Sequence, residues 1–457
     1  MRSRLQSRTT ALFLALLVVG AALATLMLSG HPLEVATIPP AGPTSSAVIA
    51  SPTAASLRRG SGAALGVWLG SGNQQAVDLL KASGARWTYI VMSWAAIEPR
   101  RTDPPTYNFA LYDRLLRSLG EAGINTIVDV RQNPDWAAST FCGPLDKGGG
   151  LEAYGQFLAA AARHYGAPPY NVKHWELYNE PDATDLVLAK QIGMACFGMY
   201  PKQYVDVLQV ASAAVKGVDP EAKIVFGGLA HENPPFHFNL DFFDEVLSAG
   251  GGDFFDVANV HYYSSQDYNW SSYGQDIAGK VGKIRKTMAR HKVDKPVAVT
   301  ELNWTSGPEN GPQLLENQAR YLLKVLARGM AIDLYAITWF MLVDEKADSW
   351  PNGLLDFARQ PRPAYRAFQT LARELGEATF VRALSPADVG AAGVEGYVFD
   401  VAGQERWILW ASADGGQVEI HLPSRTAEIL DRSGQPLSPA AGTFRVGDDP
   451  VYLRLGP

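Results

Sequence analysis

From residue 64 to about residue 376, short apolar runs alternate with longer stretches of helical period, and this alternation restricts the fold more than any other feature of the chain. The runs are ALGVWLG from 64, RWTYIVMSW from 86, NTIVDVR from 125, VKHWELY from 172, KIVFGG from 223, DVANVHYY from 256, KPVAVTEL from 295 and LYAITWFM from 334. Between them, Leu151, Tyr154, Leu158, Ala161 and Tyr165 fall at spacings of three and four and so share one helix face. Pro201 and Pro312 stand at favoured first-turn positions, and the helix that Pro312 opens is expected to close on Gly329. Eight β/α units of this kind close into a ring of parallel strands surrounded by helices, an α/β class TIM barrel spanning residues 63–377.

The flanks differ. Residues 378–457 read as short strands joined by Gly and Asp turns, the pattern of a small all-β sandwich. Its aromatics Tyr397, Phe399, Trp407 and Trp410 are candidates for a sugar-binding face, although core packing is the commoner use of such residues. At the other end, Arg2, Arg4 and Arg8 precede twenty uncharged residues from Ala11 to Gly30. That length spans a bilayer, so residues 1–30 are expected to form a membrane anchor with the N-terminus inside. A cleaved signal peptide is the alternative, with the small residues Ala22 and Ala24 at the cut. Residues 31–62, rich in Pro, Ala, Ser and Thr, read as a flexible linker. Both readings export the rest of the chain, where Cys142 and Cys196 can pair as a disulfide; two buried thiols are the alternative.

Active sites of β/α barrels are built at the C-terminal ends of the strands. Glu180, in WELYNEPD, closes the fourth run, and Glu301, in VAVTELNW, closes the seventh. Two carboxyl groups facing each other across a barrel mouth suit hydrolysis of a glycosidic bond, in which one protonates the leaving oxygen and the other attacks or stabilises the sugar cation. His261 and Tyr263 alternate on the sixth run and point the same way.

NEPD after one strand and TELNW three units later resemble the clan A glycoside hydrolases, most closely family 39, the β-xylosidases and exopolysaccharide endoglycosidases, with family 5 next. SWAAIEP at 93–99, NPDWA at 133–137, VHYY at 260–263 and TWF at 338–340 stand in the matching order. The resemblance implies a retaining hydrolase with Glu180 as acid/base, Glu301 as nucleophile, Asn179 on the sugar 2-hydroxyl and Tyr263 beside the nucleophile. It implies a sugar platform at Trp339, and Trp94, Trp136 and Trp304 are expected at the same mouth. Relatives carry Arg on strand two where this chain has Tyr89, and Arg131 is the candidate to supply that charge. Glu176 is expected in the barrel interior. A Cys142–Cys196 bridge would brace the loops beside Glu180.

A net charge of -6 leaves no basic surface for nucleic acid. His231 and His237 lack zinc spacing, no GxSxG elbow occurs, and GSGAAL at 60–65 precedes a strand instead of following one, so neither a metal nor a nucleotide cofactor is expected. The partner implied is an oligo- or polysaccharide, with membrane contact through the N-terminal segment only. A non-catalytic glycan-binding protein and a transglycosylase remain as alternatives on the same residues.

Overall fold

The computed structural model describes residues 64–456 apart from 71, 232–236, 265–270, 305–310, 347–350, 414 and 441. The expected anchor and linker lie outside the described residues; within them, no helix is long and apolar enough to cross a membrane.

Eight strands form one parallel sheet among the described residues: β1 (Leu65–Val67), β2 (Trp87–Ser93), β3 (Asn125–Arg131), β4 (His174–Leu177), β5 (Lys223–Phe226), β6 (Ala258–Tyr263), β7 (Val297–Asn303) and β8 (Ile337–Trp339). Each apolar run read in the sequence holds one of them. The order β5-β4-β3-β2-β1-β8-β7-β6 is closed by parallel bridges from Val225 to Val257 and from Leu229 to Val260. This is the TIM barrel. Side chains alternate along each strand. On β2, Trp87 and Tyr89 fill the interior beside Ile127, while Ile90 and Met92 join the layer between strands and helices.

The helices bury the faces that their spacing marks. In Gly150–Tyr165, Tyr154, Leu158, Ala161 and Tyr165 are buried. The helix Gly311–Ala331 runs past Gly329, contrary to the expected stop. Glycine weakens a helix by about 1 kcal/mol without ending it, and the burial of Leu326, Ala327, Met330 and Ala331 against the barrel holds this turn in place.

After the helix Pro363–Leu375 the chain forms β9 (Thr379–Ala383), β10 (Val394–Val401), β11 (Gln404–Ala411), β12 (Val418–His421), β13 (Thr426–Leu430), β14 (Pro436–Leu437), β15 (Thr443–Val446) and β16 (Val451–Leu455). Six of these make an antiparallel sheet in the order β14-β13-β16-β11-β10-β9, and β12 pairs with β15 as a ribbon. One face of the sheet, with Val398, Trp407 and Leu409, packs on Ile420 and Val446 of the ribbon. The other, with Tyr397, Phe399 and Trp410, joins the core of the barrel helices. All four aromatics are therefore core, and none forms a sugar-binding face.

Charge pairs surround this apolar joint. Arg328, on Gly311–Ala331, binds both Glu395 oxygens at 2.8 and 2.7 Å and Asp276 at 2.7 Å, with its guanidinium 5.6 Å from the Trp410 ring centre. Arg454 on β16 forks onto Glu374 at 2.8 and 2.6 Å. Removing one partner strands the others away from water. Arg328→Ala is expected to lower stability by about 3 kcal/mol, read as a fall in the urea midpoint; an unchanged midpoint would show that the joint does not depend on this arginine.

Candidate active site

At the end of β4 the backbone turns sharply: Tyr178 and Glu180 have φ of 63° and 48°. Positive φ is uncommon outside glycine and persists where the surroundings enforce it. The Glu180 amide donates to the Gly228 carbonyl at 3.1 Å, and the Tyr178 hydroxyl donates to Asn133 Oδ1 at 2.6 Å. Asp182 accepts from the Ala230 and His231 amides at 3.0 and 2.8 Å. The turn also needs two glycines after β5. A Cβ on Gly227 would lie 2.0 Å from the Tyr178 carbonyl oxygen, and one on Gly228 would lie 2.1 Å from His261 Nε2.

This turn brings Glu180 to the mouth opposite Glu301. One oxygen of each carboxyl group and one ring nitrogen of His261 lie within 4.8 Å of one another. His261 Nδ1 is 2.9 Å from Glu180 Oε1 and 3.7 Å from Glu301 Oε2, and its Nε2 is 3.3 Å from the Thr300 hydroxyl. The Tyr263 hydroxyl donates to Glu301 Oε2 at 2.6 Å. Burial pushes the Glu180 carboxyl up to about 7, against the pull of Arg131 and Lys280. Burial also raises Glu301, opposed first by His261. The imidazole is pushed down to about 4 by its own burial, so it is neutral between the two acids at neutral pH. Among the described residues this trio has the spacing to hold a metal ion; in this structure His261 Nδ1 contacts Glu180 Oε1, and Glu301 Oε2 accepts from Tyr263. His231 and His237 stand apart, beside Asp182 and Asp185 respectively.

Below Asn179, the Tyr89 hydroxyl lies 3.0 Å from Asp129 Oδ2 and 3.2 Å from Asn179 Oδ1. Arg131 Nε is 2.8 Å from Asp129 Oδ2, and Arg131 Nη1 donates to the Gly193 carbonyl. Glu176 is fully buried in the barrel interior, accepts from the Gly228 amide at 3.0 Å, and is raised well above the usual carboxyl range by burial.

The glycosyl hydrolases family 39 model matches residues 93–391, well over half of the chain. The chain belongs to family 39. A β-xylosidase from Caldicellulosiruptor saccharolyticus is 22% identical over 298 residues, covering 60% of this chain and 58% of that relative's length. Two solved structures share the fold. A family 39 glycoside hydrolase from Bacteroides cellulosilyticus WH2 superposes with a TM-score of 0.66 at 20% identity, covering 86% of this chain and 81% of that one. A family 39 β-xylosidase from Caulobacter crescentus gives 0.59 at 14% identity, covering 88% and 98%.

In this family 39 barrel, Glu180, Glu301, Asn179, Tyr263 and Arg131 all line one cleft of about 840 Å³. His261 lies beneath it, fully buried, and touches the carboxyl groups instead of the cleft. The tryptophans are placed differently from expectation. Trp339 is fully buried on the helix side of β8, because Ile337 and Trp339 alternate outward; its Nε1 donates to the Asn352 carbonyl at 3.2 Å. Trp94 is fully buried too, donating to Glu98 at 2.8 Å and stacked on Phe157. Trp136 packs edge-on against Trp94 and donates to the Glu98 carbonyl, while Trp304 packs near Tyr321. None of the four lines the cleft. Its aromatic walls are Trp68, Tyr112, Tyr263 and Phe340, with Trp68 and Phe340 in contact at 4.8 Å between ring centres. Cys142 and Cys196 are disulfide-bonded, with Cα atoms 5.3 Å apart, and join the loops after β3 and β4.

Two expectations follow. Gly228→Ala displaces the His261 ring and should cost about a hundredfold or more in turnover, measured beside a folding control; near-parental turnover would show that the close approach is not needed. Glu180 keeps its proton up to about pH 7 in the folded chain, whereas the unfolded chain releases it near about 4.3. Its contribution to stability is therefore complete below that lower value and is lost as the pH rises through 7. Since Gln does not titrate, Glu180→Gln should gain in Tm relative to the parent between pH 5 and pH 8; a constant difference would contradict the raised carboxyl.

Proposed function

We propose that the chain hydrolyses O-glycosidic bonds in an oligo- or polysaccharide by double displacement with retention, with Glu180 as acid/base and Glu301 as nucleophile. The observation that carries this is the approach of the two carboxyl groups to within 4.8 Å, atom to atom. Retaining enzymes hold their carboxyl groups about 5–5.5 Å apart, whereas inverting enzymes need about 6.5–9.5 Å to admit a water.

In the first step Glu301 attacks the anomeric carbon as Glu180 passes its proton to the departing oxygen, leaving a glycosyl ester on Glu301. In the second, Glu180 takes a proton from water, the water oxygen attacks the same carbon, and the Glu301 carboxylate leaves. His261 suits both steps: a neutral imidazole with Nε2 toward Thr300 donates Nδ1–H to Glu180 Oε1 and leaves the acidic proton for Oε2. Tyr263 holds Glu301 in its attacking orientation. Asn179 meets the 2-hydroxyl, Arg131 serves the same sugar, and Trp68 and Phe340 offer ring faces to its C–H surface.

The test is hydrolysis of a panel of aryl glycosides and polysaccharides, headed by β-xylosides because of the named relatives. Glu180→Gln should lower turnover about 10²–10⁴-fold, and Glu301→Gln at least as far. Activity should fall as pH rises through about 7, where Glu180 loses its proton. The first sugar product, followed by NMR, should keep the anomeric configuration of the substrate. Parental rates in either variant, or an inverted product, would overturn the assignment. Polysaccharide binding without cleavage would favour the glycan-binding reading, and transfer to a sugar acceptor the transglycosylase.

We also propose an extracytoplasmic chain, anchored to the membrane by its N-terminal segment or secreted if that segment is cleaved. The charge-free stretch after three arginines supports it, and so does the disulfide, which persists in oxidising compartments. Protease added to cells bounded by the cytoplasmic membrane alone should degrade an anchored barrel, and a secreted one should appear in the medium; full protection would place it inside.

A further inference from the structure

Double displacement leaves the buried Tyr89 hydroxyl without a role. It is the one protein group hydrogen-bonded to the Asn179 side chain among the described residues. An amide has two unlike ends, an oxygen that accepts and a nitrogen that donates. Without a fixed contact the group can turn over, and a sugar in the cleft meets whichever end is outward. Tyr89 holds the oxygen at 3.2 Å, which leaves Nδ2 for the cleft that Asn179 lines.

The hydroxyl is itself held. Its single proton lies between Asn179 Oδ1 and Asp129 Oδ2, but the latter oxygen is already 2.8 Å from Arg131 Nε. The guanidinium thus draws on the same carboxylate oxygen and weakens its claim on the phenolic proton. Arg131 is anchored in turn on the Gly193 carbonyl. The charged and titratable groups around the phenol are Asp129, Glu176, Arg131 and Glu301; burial first, then the three acids, keep it protonated far above neutral pH, against the pull of Arg131. It remains a donor throughout. Burying a hydroxyl in the barrel interior is costly unless it is hydrogen-bonded, and here the proton is shared between Asp129 and the cleft residue Asn179.

We propose that Tyr89 is a positioning residue: it fixes the Asn179 amide with Nδ2 toward the substrate and thereby sets discrimination for the hydroxyl beside the anomeric carbon. This rests on the reading of Asn179 as the group that meets the sugar 2-hydroxyl.

The experiment uses the full chain with Tyr89→Phe, Asn179→Ala and the double variant. Each is assayed on a nitrophenyl glycoside that the parent cleaves and on its 2-deoxy counterpart. Tyr89→Phe keeps the ring and should lower kcat/KM on the 2-hydroxy substrate about tenfold, the worth of one hydrogen bond. The loss should lie mainly in kcat, because the contact strengthens in the transition state. On the 2-deoxy substrate the change should stay within about twofold. Adding Tyr89→Phe to Asn179→Ala should cost nothing further, since the two act as a unit. Equal losses on both substrates would show a merely structural tyrosine and overturn the proposal, as would additive losses in the double variant. A parent that does not distinguish the two substrates overturns it through Asn179, with hydrolysis intact. A parent that cleaves no glycoside on the panel removes the hydrolase reading and this proposal with it.

Discussion

The mouth of this barrel depends on holding four carboxyl groups within one ring of strands, Asp129 and Glu176 fully buried and Glu180 and Glu301 exposed only at the cleft. Four ionised acids at such spacing would repel one another strongly in a medium of low polarity. The chain meets each differently. Asp129 has Arg131; Glu176 is held toward its neutral form by burial; Glu180 shares a neutral imidazole; Glu301 receives the Tyr263 hydroxyl. The two acids at the surface of the cleft thus have unlike neighbours.

That arrangement rests on backbone geometry as much as on charge. Glu180 sits on a turn in the left-handed region, and the turn fits because β5 is followed by two residues without side chains. Any bulk there meets either the Tyr178 carbonyl or the His261 ring, so strand packing and the hydrogen-bonding of the acids are one constraint.

Much of this is legible in the residues alone. The eight strands follow from apolar runs of the right length, and Glu180 and Glu301 follow from their place at the ends of two of them. The aromatics are harder, because a tryptophan near a strand end is equally good as platform or as packing. Trp339 shares its side of β8 with Ile337 and faces the helices, while the neighbouring Phe340 reaches the cleft. Trp94 begins a helical turn and is drawn into a ring cluster with Trp136, Tyr154 and Phe157, which only long-range packing reveals. The glycine pair after β5 is visible in KIVFGG, but its need is set by groups distant along the chain, the Tyr178 carbonyl for Gly227 and the His261 ring for Gly228. Tyr89 reads as a missing arginine until its hydroxyl is seen between Asp129 and Asn179.

The joint between the barrel helices and the last sheet has a consequence for dissection of the chain. Trp410, Tyr397 and Phe399 belong to the same apolar layer as the barrel helices, and Arg328 and Glu374 find their partners across the joint. A barrel cut off after residue 377 would carry a bare greasy scar flanked by unmatched charges, an adhesive surface more suited to clumping than to independent life. The β-sheet is thus better regarded as the barrel's missing wall than as an attachment, and the smallest portable folded unit of this chain includes it.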